Sequence, residues 1–519
     1  MTQAPPQPPI AHAPQPVKRG KGPGWRFWPD VRDGAPWQVF AVAGLAAGVT
    51  LLTEPYAVVG IAGLLTGLVV AAGPAMVVVT SRAARQRLLR PLPLLALAAT
   101  LALLAVGTIR ATPWLYVLCV LAALGLSSYG LAAGRRWPSV LMGGLATWAG
   151  ALRGLPWLIR GIGRGPTTPG ATPSTRSTAA SVGRAVLVAA ITAVLLLVFG
   201  SLLASADAAF ARALSGFLPE ISAPDVFGRA FMAAWVTVFA LGAAFVARVP
   251  PRLDRLGGAG DGRVRPMEWA VPVGALALLF AAFTAVQFAV LFGGDEHVQV
   301  TPGLTYADYA RSGFGQLVLV TLLTLAVLAA VGRWAPREQS KDRTLVRAVA
   351  GALCLLTLVI VASALYRMHL YQEAYGFTRL RVVVTVFELW LGGLFVLILA
   401  AGARLRGGWL PRAVVGTGAA ALLGLAALNP DAFIAERNVA RYEQTGKIDT
   451  QYLGQLSADA VPALDRLPEP LRSCAVAPIA SDLAAPDEPW HAYNISRERA
   501  RQLLRDRPTE VSRDCPSRY

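Results

Sequence analysis

PLPLLALAATLALLAVGTI (residues 91–109) is followed by Arg110 and then by PWLYVLCVLAALGLSSYGLAA (residues 113–133). Arginines 82, 85, 87 and 90 precede the first run, and Arg135 and Arg136 follow the second. Neither run contains a charge, and each approaches the ~20 residues that a helix rising 1.5 Å per residue needs to cross a bilayer. The pair reads as two transmembrane helices joined by a short turn, with basic residues gathered on one side.

The same reading extends outward in both directions. Candidate spans are 37–53, 56–79, 91–109, 113–133, 185–204, 228–247, 268–292, 314–332, 345–365, 380–402 and 411–428, eleven in all. The chain is 55% hydrophobic and 15% charged, against roughly 25% charged residues in soluble domains. The expected fold is all-α, a polytopic membrane helix bundle with a small C-terminal helical domain.

Charge placement sets the expected orientation. With the N-terminus inside, the inner segments hold 29 of the 48 Lys and Arg residues, the outer loops seven and the C-terminal tail 12. Short loops with that bias follow the positive-inside rule. The net charge of +18 therefore reflects topology. No groove-reading or stacking motif accompanies it, so nucleic acid is not an expected partner.

Residues 1–36, rich in Pro, Gly and basic residues and lacking an apolar core, read as a disordered basic cytoplasmic tail. Residues 37–133 hold spans one to four. Within 134–184, the apolar stretch 140–152 is too short to cross; its tryptophans and arginines suit an interfacial or re-entrant helix. A Pro/Ser/Thr linker follows. Spans five to eleven occupy 185–428. The tail, 429–519, carries 14 acidic and 12 basic residues, a change of composition that marks a separate extracytoplasmic helical domain. Asn429-Pro430-Asp431 suggests a helix start, with Gly446 as its stop. Cys474 and Cys515 are a disulfide candidate, since an extracytoplasmic pair can oxidise.

Signatures of nucleotide, metal and dinucleotide binding are absent, so no cofactor or metal is expected. Glu388 is the one acid well inside a span. An intramembrane carboxylate costs about 2.5–3.5 kcal/mol on insertion scales and faces a partner or a cavity. It is read either as a proton or cation site or as a helix-holding bond to Gln316, Gln287 or Arg379. The segment YRMHLYQEAYGFTRLR (366–381) is the other candidate. If the ninth helix continues outward, Arg367, Tyr371 and Tyr375 share a face, and His369 and Glu373 form an i, i+4 pair. Arg379 and Arg381 follow Gly376, and Tyr306, Asp308 and Arg311 form a second outer cluster. Arginine clamps suit phosphate or carboxylate; snorkelling arginines in an aromatic belt, plus docking of the tail, account for the same residues.

From Tyr306 onward, YADYARSGFGQL (306–317), YRMHLYQEAYGFTRLR (366–381), NPDAFIAERN (429–438) and LSADAVPAL (456–464) resemble a bacterial, actinobacterial-type family of multi-span membrane proteins, domain of unknown function 4173 or a close sister family. The resemblance implies a helical membrane-embedded fold and carries no catalytic residue across. Three functions follow as expectations. The favoured one is a non-catalytic envelope scaffold or sensor with an outer-face binding site. The rivals are a transporter using Glu388 and a membrane enzyme acting on lipid-linked anionic substrates at the outer face. Expected partners are the lipid bilayer and either an envelope protein or an anionic lipid headgroup; the cell membrane is the expected location. The oligomeric state is not legible.

Overall fold

The structure, a computed structural model, describes residues 28–31, 33–53, 59–162, 223–254, 265–292, 314–404, 407–484, 488–509 and 515. Among these residues it is all-α, with nineteen helices and no strand. The expected span 185–204, most of the linker, and Tyr306, Asp308 and Arg311 lie outside the described residues.

The first bundle is built from α1 (Trp37–Thr53), α2 (Ala62–Thr80), the short α3 (Arg82–Leu88), α4 (Pro91–Ile109) and α5 (Pro113–Ala132). Prolines open both α4 and α5, where the missing N–H costs nothing. These two helices pack side by side, and Gly107 makes the approach possible: a Cβ there would meet the Tyr116 ring at 2.5 Å.

Three short helices follow: α6 (Trp137–Gly143), α7 (Ala146–Arg153) and α8 (Leu155–Ile162). None is long enough to cross a membrane. The break between α6 and α7 sits against α5. Ser128 Oγ donates to Gly143 O (2.7 Å) and accepts from Thr147 N–H (2.9 Å). One hydroxyl thus satisfies backbone groups on both sides of the break. Trp148 then stacks on Trp235 at 4.3 Å. Trp235 belongs to α9 (Ala223–Arg248), about 20 Å along that helix from its basic end.

The basic ends of this bundle are held together by backbone carbonyls. Arg87 donates to Val246 O (3.3 Å) and to Ala247 O, covering the C-terminal carbonyls of α9. Arg248 bonds Ser81 Oγ and Asp33, each at 2.8 Å. Asp254 accepts from Arg135 N, Arg136 N and Ser139 Oγ at the start of α6.

A second bundle comprises α10 (Pro266–Phe292), α11 (Phe314–Trp334), α12 (Ser340–Tyr375) and α13 (Arg379–Arg404), around a core that includes Phe280, Leu353, Ile360 and Phe395. α12 runs 36 residues, continuing past its apolar part, which meets the condition under which Arg367, Tyr371 and Tyr375 were read as one face. α14 (Leu410–Leu428) packs on α4, α5 and α13 and so touches both bundles. Among the described residues nine helices are long and apolar enough to cross a membrane, and the apolar α1 has 17 residues.

The tail folds as α15 (Pro430–Thr445), α16 (Thr450–Leu453), α17 (Val461–Leu464), α18 (Leu471–Leu483) and α19 (Ile495–Asp506). Its apolar residues join those of α4 and α5 in one continuous core. Two details differ from the sequence reading. Asn429 does not cap α15 with its side chain; it takes the left-handed conformation (φ 56°) that lets α14 end and α15 begin at the same residue. The helix α18 was not anticipated, because Pro478 interrupts its pattern.

Candidate functional site

Four of the sequence-predicted site residues, Tyr371, Glu373, Arg379 and Arg381, lie where α12 turns into α13 and the tail rests against it. Gly376 ends α12 at φ 80°, a conformation that favours glycine. A Cβ there would also meet Asn438 Oδ1 at 2.4 Å. That close approach exists because Asn438 clamps the turn, accepting from Phe377 N–H (3.0 Å) and donating to Phe377 O (2.9 Å). Arg441, also on α15, donates to Glu373 O and Ala374 O and so covers the last carbonyls of α12.

Asp431 is the centre of the arrangement. It is fully buried and accepts a two-point bond from Arg379, Nε at 3.0 Å and Nη2 at 2.6 Å. It also accepts from Ser457 N–H (2.8 Å) and, at 3.4 Å, from Trp114 Nε1. One carboxylate therefore joins α5, α13 and two parts of the tail. Arg379 completes the contact by donating to Gln455 O (2.9 Å), while its N–H donates to the Tyr452 hydroxyl (2.7 Å).

A second buried carboxylate repeats the pattern at the turn between α4 and α5. Asp459 accepts from Ala111 N–H (2.6 Å), Thr112 Oγ1 (3.1 Å) and Ser496 Oγ (2.6 Å). Asn494 donates to Gly107 O and Arg110 O, and Arg110 donates to Ala426 O and Ala427 O. Sequence reading missed Asp459 and Asn494, although LSADAVPAL was quoted for its resemblance. An acid followed by Ala-Val-Pro looks like a helix start, and nothing local reveals a partner some 350 residues away. Burial pushes the His491 imidazole below its usual value, with Arg229 contributing.

The remaining candidates divide. Arg381 lies over the Tyr371 ring at 4.1 Å and donates to Tyr375 O and Gly376 O. Arg367 donates to Gln287 Oε1 at 2.6 Å. His369 and Glu373 pair at 3.2 Å, each side chain 59% exposed. Among the described residues no group of three or more His, Cys, Asp or Glu side chains is placed to hold a metal ion. Cys474 and Cys515 form a disulfide; Cys119 and Cys354 are buried thiols.

Glu388 stands apart. It is 1% exposed, and neither carboxylate oxygen has a hydrogen-bond partner among the described residues. Of the partners the sequence suggested, Gln287 bonds Arg367 and Ser363 and Arg379 bonds Asp431, while Gln316 is exposed. Chemically, this end of the bundle offers docking bonds and an exposed polar strip.

No curated protein and no solved structure matches the chain. A family match spans residues 96–467, reaching well before Tyr306 and ending ahead of α18. The description attached to it is Domain of unknown function (DUF4153). The expectation of a family without an assigned activity holds at that level, and the chain belongs to the DUF4153 family.

Proposed function

We propose that this protein is a non-catalytic scaffold or sensor of a bacterial cell membrane, with its N-terminus in the cytoplasm and its tail outside. In this reading the tail is latched to the outer ends of the spans, and the latched face is what an envelope protein binds. The observation that carries it is the buried Asp431 carboxylate gripping Arg379 at two points. The most prominent outer arginine is thereby committed to docking, as are Arg381 and Arg441 to helix-end carbonyls. The outward extension of α12, bearing the exposed His369–Glu373 pair and exposed Tyr366 and Tyr375, is the surface left for a partner.

The partnerless Glu388 favours a second reading, a transporter that uses this carboxyl as a proton or cation site. Complementation of a deletion strain separates the two. The scaffold reading predicts that Asp431→Ala, present in the membrane at wild-type abundance, fails to complement, whereas Glu388→Gln and Arg367→Ala succeed. Failure of Glu388→Gln at normal abundance would replace the scaffold with the transporter. Success of Asp431→Ala with a demonstrably undocked tail would remove the scaffold reading outright.

A further inference from the structure

The first bundle contains a cavity of about 940 Å³ between α2, α4, α5 and α9. That lies at the upper end of the ~300–1,000 Å³ typical of small-molecule sites. Its walls are apolar almost throughout, with Val70, Leu97, Leu124 and Phe239 among them. Residues Pro93 and Leu104 both line it, so it extends about 16 Å along α4. Rim residues Leu94 (44%), Leu121 (60%) and Trp235 (48%) are exposed, which at this depth means exposed to lipid chains. The α6–α7 segment contributes Leu145 and Trp148 to the wall.

No charged residue lines the cavity, but one end of it adjoins a basic stretch of sequence. Leu88 and Leu89 line it, and they sit between Arg85 and Arg90 in the sequence RAARQRLLR (82–90). Arg82, Arg85 and Arg90 are exposed. Their neighbour Arg87 differs, being spent on the α9 carbonyls. The positive-inside rule explains basic residues at this end. It does not explain a large apolar cavity whose lining reaches Leu88 and Leu89, between them. Basic clusters at the mouths of pockets between spans are suited to acidic lipid headgroups.

We propose that this cavity is a binding site for an anionic phospholipid, one acyl chain lying along α4 and the phosphate resting on Arg85 and Arg90. Native mass spectrometry of the full-length detergent-solubilised protein tests it, using an equimolar mixture of phosphatidylglycerol and phosphatidylcholine with identical chains. The expected wild-type result is about a thirtyfold excess of phosphatidylglycerol adducts, the factor to which two charge contacts at ~1 kcal/mol each convert at 1.36 kcal/mol per tenfold. Arg85→Gln with Arg90→Gln should bring the ratio close to one. Ala71→Phe, which places a ring into the cavity, should remove adducts of both lipids. Equal binding of the two lipids to wild type would overturn the proposal. So would a phosphatidylglycerol preference that survives the double arginine variant, or adducts that persist in a folded Ala71→Phe protein. Should Ala71→Phe lose its helical circular dichroism, the arginine variant, altered only at exposed positions, still decides.

Discussion

Asp431→Ala is expected to open the contact between the tail and the spans, raising amide exchange in α15 by about two orders of magnitude. The reasoning rests on what is left behind. The carboxylate is fully buried and accepts from four groups: Arg379 Nε and Nη2, Ser457 N–H and Trp114 Nε1. Removing one partner of a buried ion pair costs about 3–5 kcal/mol, because the other charge stays uncompensated. Arg379 is 32% exposed and can regain water, which places the effect near the lower bound, about 3 kcal/mol. Each 1.36 kcal/mol is a factor of ten, hence the predicted exchange rate. Hydrogen exchange read by mass spectrometry checks it, with Asp506→Ala, on the exposed end of α19, as the control. Unchanged protection of α15 would mean that Asp431 does not hold the tail.

Cys474→Ser is expected to destabilise the tail by about 4 kcal/mol in the chain-entropy account, since the disulfide closes a loop with a sequence separation of 41. Cys474 lies in α18, whose buried residues Leu471, Ala475, Val476 and Ile479 belong to the core shared with α4 and α5. Loss of the bond should therefore deprotect α18 and α19 while leaving α12 and α13 unaffected. The same variant reports on compartment. In a reducing cytosol the two thiols stay unpaired, and Cys474→Ser would then change nothing in protein isolated without oxidation. Exchange in α18 that matches wild type, in protein whose native form is shown to be oxidised, would contradict the stabilising role.

The spans were legible because the bilayer imposes length and apolarity locally. The runs 37–53 and 91–109 are helices α1 and α4 with the same ends. The extension of α12 beyond its apolar part was also local, carried by the i, i+4 spacing of His369 and Glu373 and by Gly376. What stayed hidden is pairing at long range. Nothing near Arg379 names Asp431, 52 residues away, as its partner. Nothing near Ala111 names Asp459, 348 residues on. The segment α6–α8 was half-legible: 140–152 is too short for a span and is broken between α6 and α7, but its seat depends on Ser128 and Trp235, which belong to other helices. Glu388 was found from composition alone. Two of the partners proposed for it, Gln287 and Arg379, are committed to Arg367 and Asp431 instead, which no local pattern encodes.

In the proposed topology, apolar helices separate a basic inner face from an outer face to which the tail is latched. Labelling of single introduced cysteines in intact cells with a membrane-impermeant maleimide tests it most directly. Gly446 follows α15 and is exposed, and Arg337 lies in the exposed basic turn between α11 and α12. The account predicts that Gly446→Cys reacts in intact cells and that Arg337→Cys reacts only after permeabilisation. Labelling of Arg337→Cys from outside, with Gly446→Cys protected until the membrane is opened, would contradict it.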